Sequence, residues 1–557
     1  MNDFAHQTAF IASAVERILT LLDNDPWSPT YGCAHPAYWR DKTSEVADSR
    51  RQEVMLPLAL LYRREYPGSN WLGDARLLKG VSALLNFWLL NQYDDGSMDE
   101  WYKGERAFAA AAFSTFAVAR TLDLLANQLA PELIARAKKG LARSAGWLTQ
   151  RNDLFKANHQ AVGVAALAWA SHVLEDSALK SAACNKLKSL LAVQTPEGWF
   201  PELGHVDPGY TFLTVEYVAM AMALWQEWDA LPFMMRAMDF ACGWVHPDLT
   251  LGEEYGVCHN PYVSRIAAVL MASSSPLAAR LVERCRTQST GFAGLAPTLG
   301  DDLRLTRWAF QPLLAWDYWS GQEPAAPGAM ITPHPLPLEP DGHHALLLRE
   351  AGLARLDLGQ DCAVVAPVAG GLIRLFSSTG AIFTDGGYVL TTEGVIATHL
   401  GYERLRPLLQ EGETLEMTVL LSPVRKFFPS FWQRLILRLV CTTATGSRLA
   451  RNGIDLIRRS KATPINQSSA NLGGRKSPWR LTRRVIPSTL GLEIQDRLVF
   501  DRPVSTEGLS LYLRETDQPW QTRPIREFLP NLPATLNGLT WNRIVRRDGE
   551  RWVMEIA

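Results

Sequence analysis

Two short segments carry the side chains best suited to chemistry. Lys156-Ala157-Asn158-His159-Gln160 and Asp207-Pro208-Gly209-Tyr210-Thr211 each follow a loop and open an apolar helical run. An Asn amide donates hydrogen bonds without acting as a base, while a neighbouring His donates when protonated and takes a proton when neutral. Asn158 and His159 therefore suit the neutralisation of a carboxylate, which eases removal of a proton beside it. Tyr210 suits proton transfer itself, as base or acid, provided its ordinary pKa of about 10 is lowered by its neighbours. Tyr217 is the second candidate for that role. Each piece has a plainer reading alone: Asn is a preferred helix N-cap, and Asp-Pro-Gly is a turn signal. Their conjunction favours catalysis.

Neighbouring loops supply further candidates for binding a substrate: Trp101, Tyr102, Glu105 and Arg106; Glu202, His205 and Asp207; and Glu254, Tyr255, His259, Asn260 and Arg265. Convergent polar groups in an apolar concavity are how sites look. The aromatic residues stack on sugars or pack a core, and for Arg106 and Arg265 a bound carboxylate and an internal salt bridge weigh equally.

These residues must be positioned by helices. Up to about residue 320 the pattern is one amphipathic or apolar helix after another, with similar breaks roughly every 50 residues, the period of helical hairpins that stack or close into a ring. The expected architecture is an incomplete (α/α) toroid over 1–325, a Pro-rich linker over 326–341, and an antiparallel β-sandwich over 342–557. Within the sandwich, about 427–461 is a basic amphipathic helical insertion. A helix covering a sheet edge weighs somewhat more there than peripheral docking on an anionic membrane or polymer. Residues 464–476 are expected to form a mobile loop.

The chain has 557 residues, 47% apolar, and a net charge of -1, which argues against nucleic acid as a partner. Seven scattered cysteines lack metal-ligand spacing, so neither a metal nor an organic cofactor is expected. Nothing at the N-terminus reads as a signal peptide, and cytoplasmic is the default expectation. A Walker loop, a dinucleotide fingerprint and a G-x-S-x-G elbow are all missing. Oligomeric state is not readable.

Asn158-His159 on one hairpin, Asp207-Pro208-Gly209-Tyr210 on the next, and Asp95-Gly96-Ser97-Met98-Asp99-Glu100-Trp101-Tyr102 with Glu105-Arg106-Ala107-Phe108 before them resemble the heparinase II/III-like polysaccharide lyases. The resemblance implies β-elimination on a uronic-acid-containing glycan, with Asn158 and His159 neutralising the uronate and Tyr210 as base or acid. It also implies a further His from the start of the sandwich. Here that stretch, Val368 to Phe376, holds none, and His343, His344 and His399 give no ligand set. A lyase relying on helical-domain residues and a relative that binds without turnover both follow. Two other readings stand beside these. One is a glycoside hydrolase using two of Asp99, Glu100, Glu202, Asp207 and Glu254. The other is a non-catalytic glycan-binding protein of exopolysaccharide production.

Overall fold

The computed structural model describes residues 2–225, 229–291, 294–295, 300–321, 331–342, 344–377, 380–392, 395–398, 408–411, 414–423, 430–460, 479–488, 491–505, 509–514, 522–524, 535–548 and 551–556. His343, His399, residues 464–476 and part of the Pro-rich stretch, 326–330, lie outside them.

Among the described residues, six helices form an inner ring: Met55–Arg63, Phe108–Leu125, Ala157–Leu174, Pro208–Leu224, Arg265–Met271 and Phe310–Ser320. Each packs on the next, and the last also meets the first. They are largely apolar all round, as suits helices buried on every side, with Arg120 and Glu216 as buried exceptions; from Phe108 to Leu122 every residue of the second is buried. Small residues let them approach closely. A Cβ on Gly163 would lie 2.8 Å from Cζ of Phe108 on the neighbouring helix. The outer helices show the complementary pattern: Pro131–Thr149 buries Leu133, Ala137, Gly140, Leu141, Ser144, Ala145, Trp147 and Leu148, one face at helical spacing, and leaves the opposite face wetter.

The strands begin at Leu346–Leu348 and form three antiparallel sheets. The first runs in chain order from Leu346–Leu348 to Gly380–Asp385. The six-stranded sheet centres on Trp479–Ser488 and Gly491–Ser505, which pair along their length from Trp479↔Phe500 to Ser488↔Gly491. Thr535–Asp548 and Arg551–Ile556 form the expected terminal hairpin, closing with Asp548 opposite Arg551.

Among the apolar side chains of the sheets lies a fully buried ionic group. Arg483 reaches Asp496 at 2.8 Å and Asp385 at 3.1 Å, and Arg543 reaches the same two at 2.7 and 2.6 Å. Tyr388 donates its hydroxyl to Asp496 at 2.6 Å and accepts from the Trp541 indole at 2.9 Å. The two guanidinium groups outweigh the cost of burial and hold the Asp496 carboxyl at about 2. Its stabilising contribution is therefore present above the ordinary carboxylate range and is lost as pH falls toward about 2. Asp496→Ala, which leaves two buried cations to share Asp385 alone, is expected to cost about 3–5 kcal/mol in denaturant unfolding.

The strands brace the helices through ion pairs and caps. Arg374 makes a two-pronged contact with Glu254. Glu197 accepts from the backbone of Glu350 and Ala351 at 2.9 and 2.7 Å, and Arg355 donates to the Gly243 carbonyl at 3.2 Å.

Candidate active site

A cavity of about 940 Å³ opens where the loops before the Phe108–Leu125 and Ala157–Leu174 helices meet. Trp101, Tyr102, Glu105, Arg106 and His159 line it, so these five expected residues do come together. Arg151, Asp153 and Lys156 join them from the second loop. The first loop is shaped by its own carboxylates. Asp99 accepts from the backbone of Gly104 and Arg106, both at 2.8 Å, and Glu105 from that of Glu100 and Trp101 at 3.1 and 2.7 Å. Arg106 lies on the Tyr93 ring and pairs with Asp95 at 2.8 Å.

His159 is the chemically distinctive residue of the wall. Its Nδ1 is 2.9 Å from Asp153 Oδ2, and its ring meets Phe113 edge-on. An ionised carboxylate only accepts, so Nδ1 carries the hydrogen and Nε2 keeps a lone pair. Burial lowers the imidazole pKa, against the opposing pull of Asp153. The ring is a neutral, oriented base at neutral pH.

Behind this wall lies a second, drier layer. Asn158 does not cap its helix. Lys156 occupies the cap position, and Asn158 donates to Glu202 Oε2 at 2.5 Å, leaving its own Oδ1 buried without a partner. Glu202 and His205 exchange backbone hydrogen bonds at 2.8 and 2.9 Å. Asp207 does cap the Pro208–Leu224 helix: its carboxylate accepts from the backbone N–H of Tyr210 at 2.9 Å and, from the next loop, of Cys258 at 3.0 Å. Gly209 is required there, since a Cβ would lie 2.0 Å from the Asn260 carbonyl oxygen. Burial pushes Glu202 up to about 8 and Asp207 to about 7. It also raises the half-buried Tyr210 phenol well above 10, with Cys258, Glu202 and Asp207 adding to the effect. The shift is opposite to the lowered phenol pKa that a Tyr base needs, and it keeps the Tyr210 phenol protonated.

Other expected residues lie away from the cavity. Tyr217 is wholly buried between Phe113 and Phe116. Arg265 is the internal salt bridge of its two readings, held by Asp3 at 3.1 Å and the Val263 carbonyl at 2.7 Å. Glu254 faces Arg374, and the Tyr255 hydroxyl lies 3.0 Å from His246 Nε2. His259 takes a left-handed φ of 52° in the loop that backs Asp207. For a hydrolase the carboxylates are poorly placed: Asp99 and Asp207 hold backbone, Glu100 pairs with Arg307 at 2.9 Å, Glu254 with Arg374, and Glu202 with Asn158. Among the described residues no group of three His, Cys, Asp or Glu side chains could hold a metal.

The largest surprise is the insertion. The Ala444–Ser460 helix supplies Thr445, Ser447, Arg448 and Asn452 to the cavity. Ser447 donates to the Gly104 carbonyl, and a Cβ on Gly104 would lie 2.0 Å from the Cys441 carbonyl oxygen. In place of the expected cover for a sheet edge, the described part of the insertion seats on the toroid loop and roofs the cavity. Asp153, Arg151, Lys156 and Arg448 escaped the sequence reading as site residues because their partners lie across loops or in the other half of the chain.

No family model and no curated protein matches the chain. Solved structures do. A Paenibacillus xanthan lyase superposes with a TM-score of 0.51 at 10% identity, over 92% of this chain and 46% of that one. A Streptomyces coelicolor A3 chondroitin AC lyase, in complex with chondroitin sulphate, gives 0.54 at 11% identity, over 91% and 68%. Heparinase III gives 0.49 at 12% identity, over 84% and 65%. The chain thus shares the fold of the xanthan and chondroitin AC lyases, helical toroid followed by antiparallel sheets, and spans about half the length of the xanthan lyase.

Raised carboxyl pKa values have a consequence for stability. A native state that holds extra protons is most stable below the ordinary carboxylate value and loses that contribution as pH rises through the shifted one. For Glu202 the interval runs from 4.5 to about 8. Glu202→Gln is therefore expected to flatten the decline in thermal unfolding temperature across that interval, as measured by calorimetry at several pH values.

Proposed function

We propose that the protein is a polysaccharide lyase that cleaves a uronic-acid-containing glycan by β-elimination. The observation that carries the reading is His159, neutral and oriented by Asp153, on the wall of a cavity large enough for a sugar chain and rimmed by Arg106, Arg151, Lys156 and Arg448. The fold shared with polysaccharide lyases supports it.

In this reading the rim cations bind the uronate carboxylate and offset the charge that develops beside it. His159 Nε2 takes the C5 proton. The electron pair of that bond forms the C4–C5 double bond as the C4–O bond breaks, and the departing oxygen takes a proton, for which Tyr210, in the layer behind the wall, is the candidate donor. Asn158 keeps a supporting part, holding Glu202 behind the two proton-transfer groups. His159 thereby becomes the base, and Tyr210 keeps the acid half of its expected base-or-acid role.

The test is the ultraviolet absorbance of unsaturated uronate ends, followed across a panel of uronic-acid polysaccharides. His159→Gln and Tyr210→Phe are each expected to lower kcat by about 10²–10⁴-fold. Because burial lowers the His159 pKa, the acid limb of kcat/KM should lie below the ordinary imidazole range of about 6.5. Asp153→Asn should move that limb lower still, since Asp153 is the group that raises it. Saturated ends without absorbance would instead establish hydrolysis, and binding without cleavage a lectin-like role.

A further inference from the structure

The Phe431–Val440 helix is built the wrong way round for a helix that belongs to a core. At 100° per residue, Phe431, Leu435, Leu439, Trp432, Ile436 and Val440 fall in that order along an arc of roughly half its circumference. This apolar arc faces outward. Phe431 is 70% exposed, Trp432 68%, Ile436 58% and Leu439 64%. The side that rests on the protein is the opposite one: Leu437 is half-buried, Cys441 at the helix end is buried, and Arg438 pairs with Glu45 of the toroid at 2.7 Å. A Ser430–Gln433 capping box closes the first turn, so the helix has its own local start.

Charge identifies what the arc meets. Between 425 and 461 the chain has Arg425, Lys426, Arg434, Arg438, Arg448, Arg451, Arg458, Arg459 and Lys461 against Asp455 alone. Arg434 and Arg438 flank the Phe431 edge of the arc. A second copy of this helix would bring like charges together across a two-fold axis, which disfavours self-association. An apolar arc with aromatic residues at one end and basic flanks matches the interface of an anionic bilayer, with the helix lying in its plane. The contact would be peripheral: among the described residues, the single helix long and apolar enough to cross a membrane, Phe108–Leu125, is buried in the inner ring.

We propose that the Phe431–Val440 helix docks the protein on an anionic phospholipid bilayer. Because the following helix roofs the cavity and Ser447 holds the Gly104 loop, docking sets the cavity entrance close to the membrane surface. The inference does not depend on the lyase reading.

The test is co-flotation of the full chain with vesicles of phosphatidylcholine alone or mixed with phosphatidylglycerol, at low and high salt. Flotation is expected with the mixed vesicles, weakened by salt and weak on phosphatidylcholine. The double variant Ile436→Gln, Leu439→Gln keeps good helix formers on the arc and is expected to lower partitioning by about tenfold or more. Arg434→Gln, which leaves the arc intact, should weaken binding to the anionic vesicles only. An unchanged thermal unfolding temperature shows that the variants fold. Absence of flotation, flotation indifferent to both variants, or a dimer in light scattering that the double variant dissolves would each overturn the proposal.

Discussion

Helices that are apolar on nearly every side present most of their polar groups at their ends; Glu216, held mid-helix by Tyr262, Ser264 and Gln311, is an exception. That constraint orders the rest of this protein. The inner ring packs through Ala, Gly and aromatic side chains too closely for charge to be accommodated between helices at low cost, as Gly163 against Phe108 shows. Polar residues therefore collect in the loops at the helix starts, where Asp99, Glu105 and Asp207 spend their carboxylates on backbone N–H groups. Those bonds give the cavity loops a defined shape.

The same dryness sets the protonation states. Desolvation is the first cause of every large shift in the buried layer: it lowers His159 and raises Glu202, Asp207 and Tyr210. All four move toward their neutral forms. Around the cavity charge of both signs is kept, Arg106, Arg151, Lys156 and Arg448 beside Asp95, Glu100, Glu105 and Asp153.

The sheets contribute beyond support. Arg374 and Arg355 tie them to the toroid, and in their own buried ionic group Arg483 and Arg543 each reach both Asp385 and Asp496. The insertion then returns to the helical half, where Ser447 and Arg448 complete the cavity and Arg438 reaches Glu45. One consequence is that the cavity wall is shared by residues more than 300 positions apart.

Much of this was legible in the chain itself. Apolar periodicity identified the helical half and alternation the strands, and Asp207-Pro208-Gly209 announced a turn leading into a helix. Such signals are local: they relate residues within a turn or two, which is the range over which backbone geometry repeats. Depth is not local. Tyr210 and Tyr217 lie two turns apart on one helix, yet one is half-buried in the layer behind the cavity wall and the other is sealed between two Phe rings. Arg265 found Asp3 rather than a substrate, and His159 found Asp153 across a loop. Residue types and their spacing determined which groups stand at helix starts. Tertiary packing alone decided which of them lost water, and desolvation, a property of the assembled surroundings, is what separates a base from an acid among the same side chains.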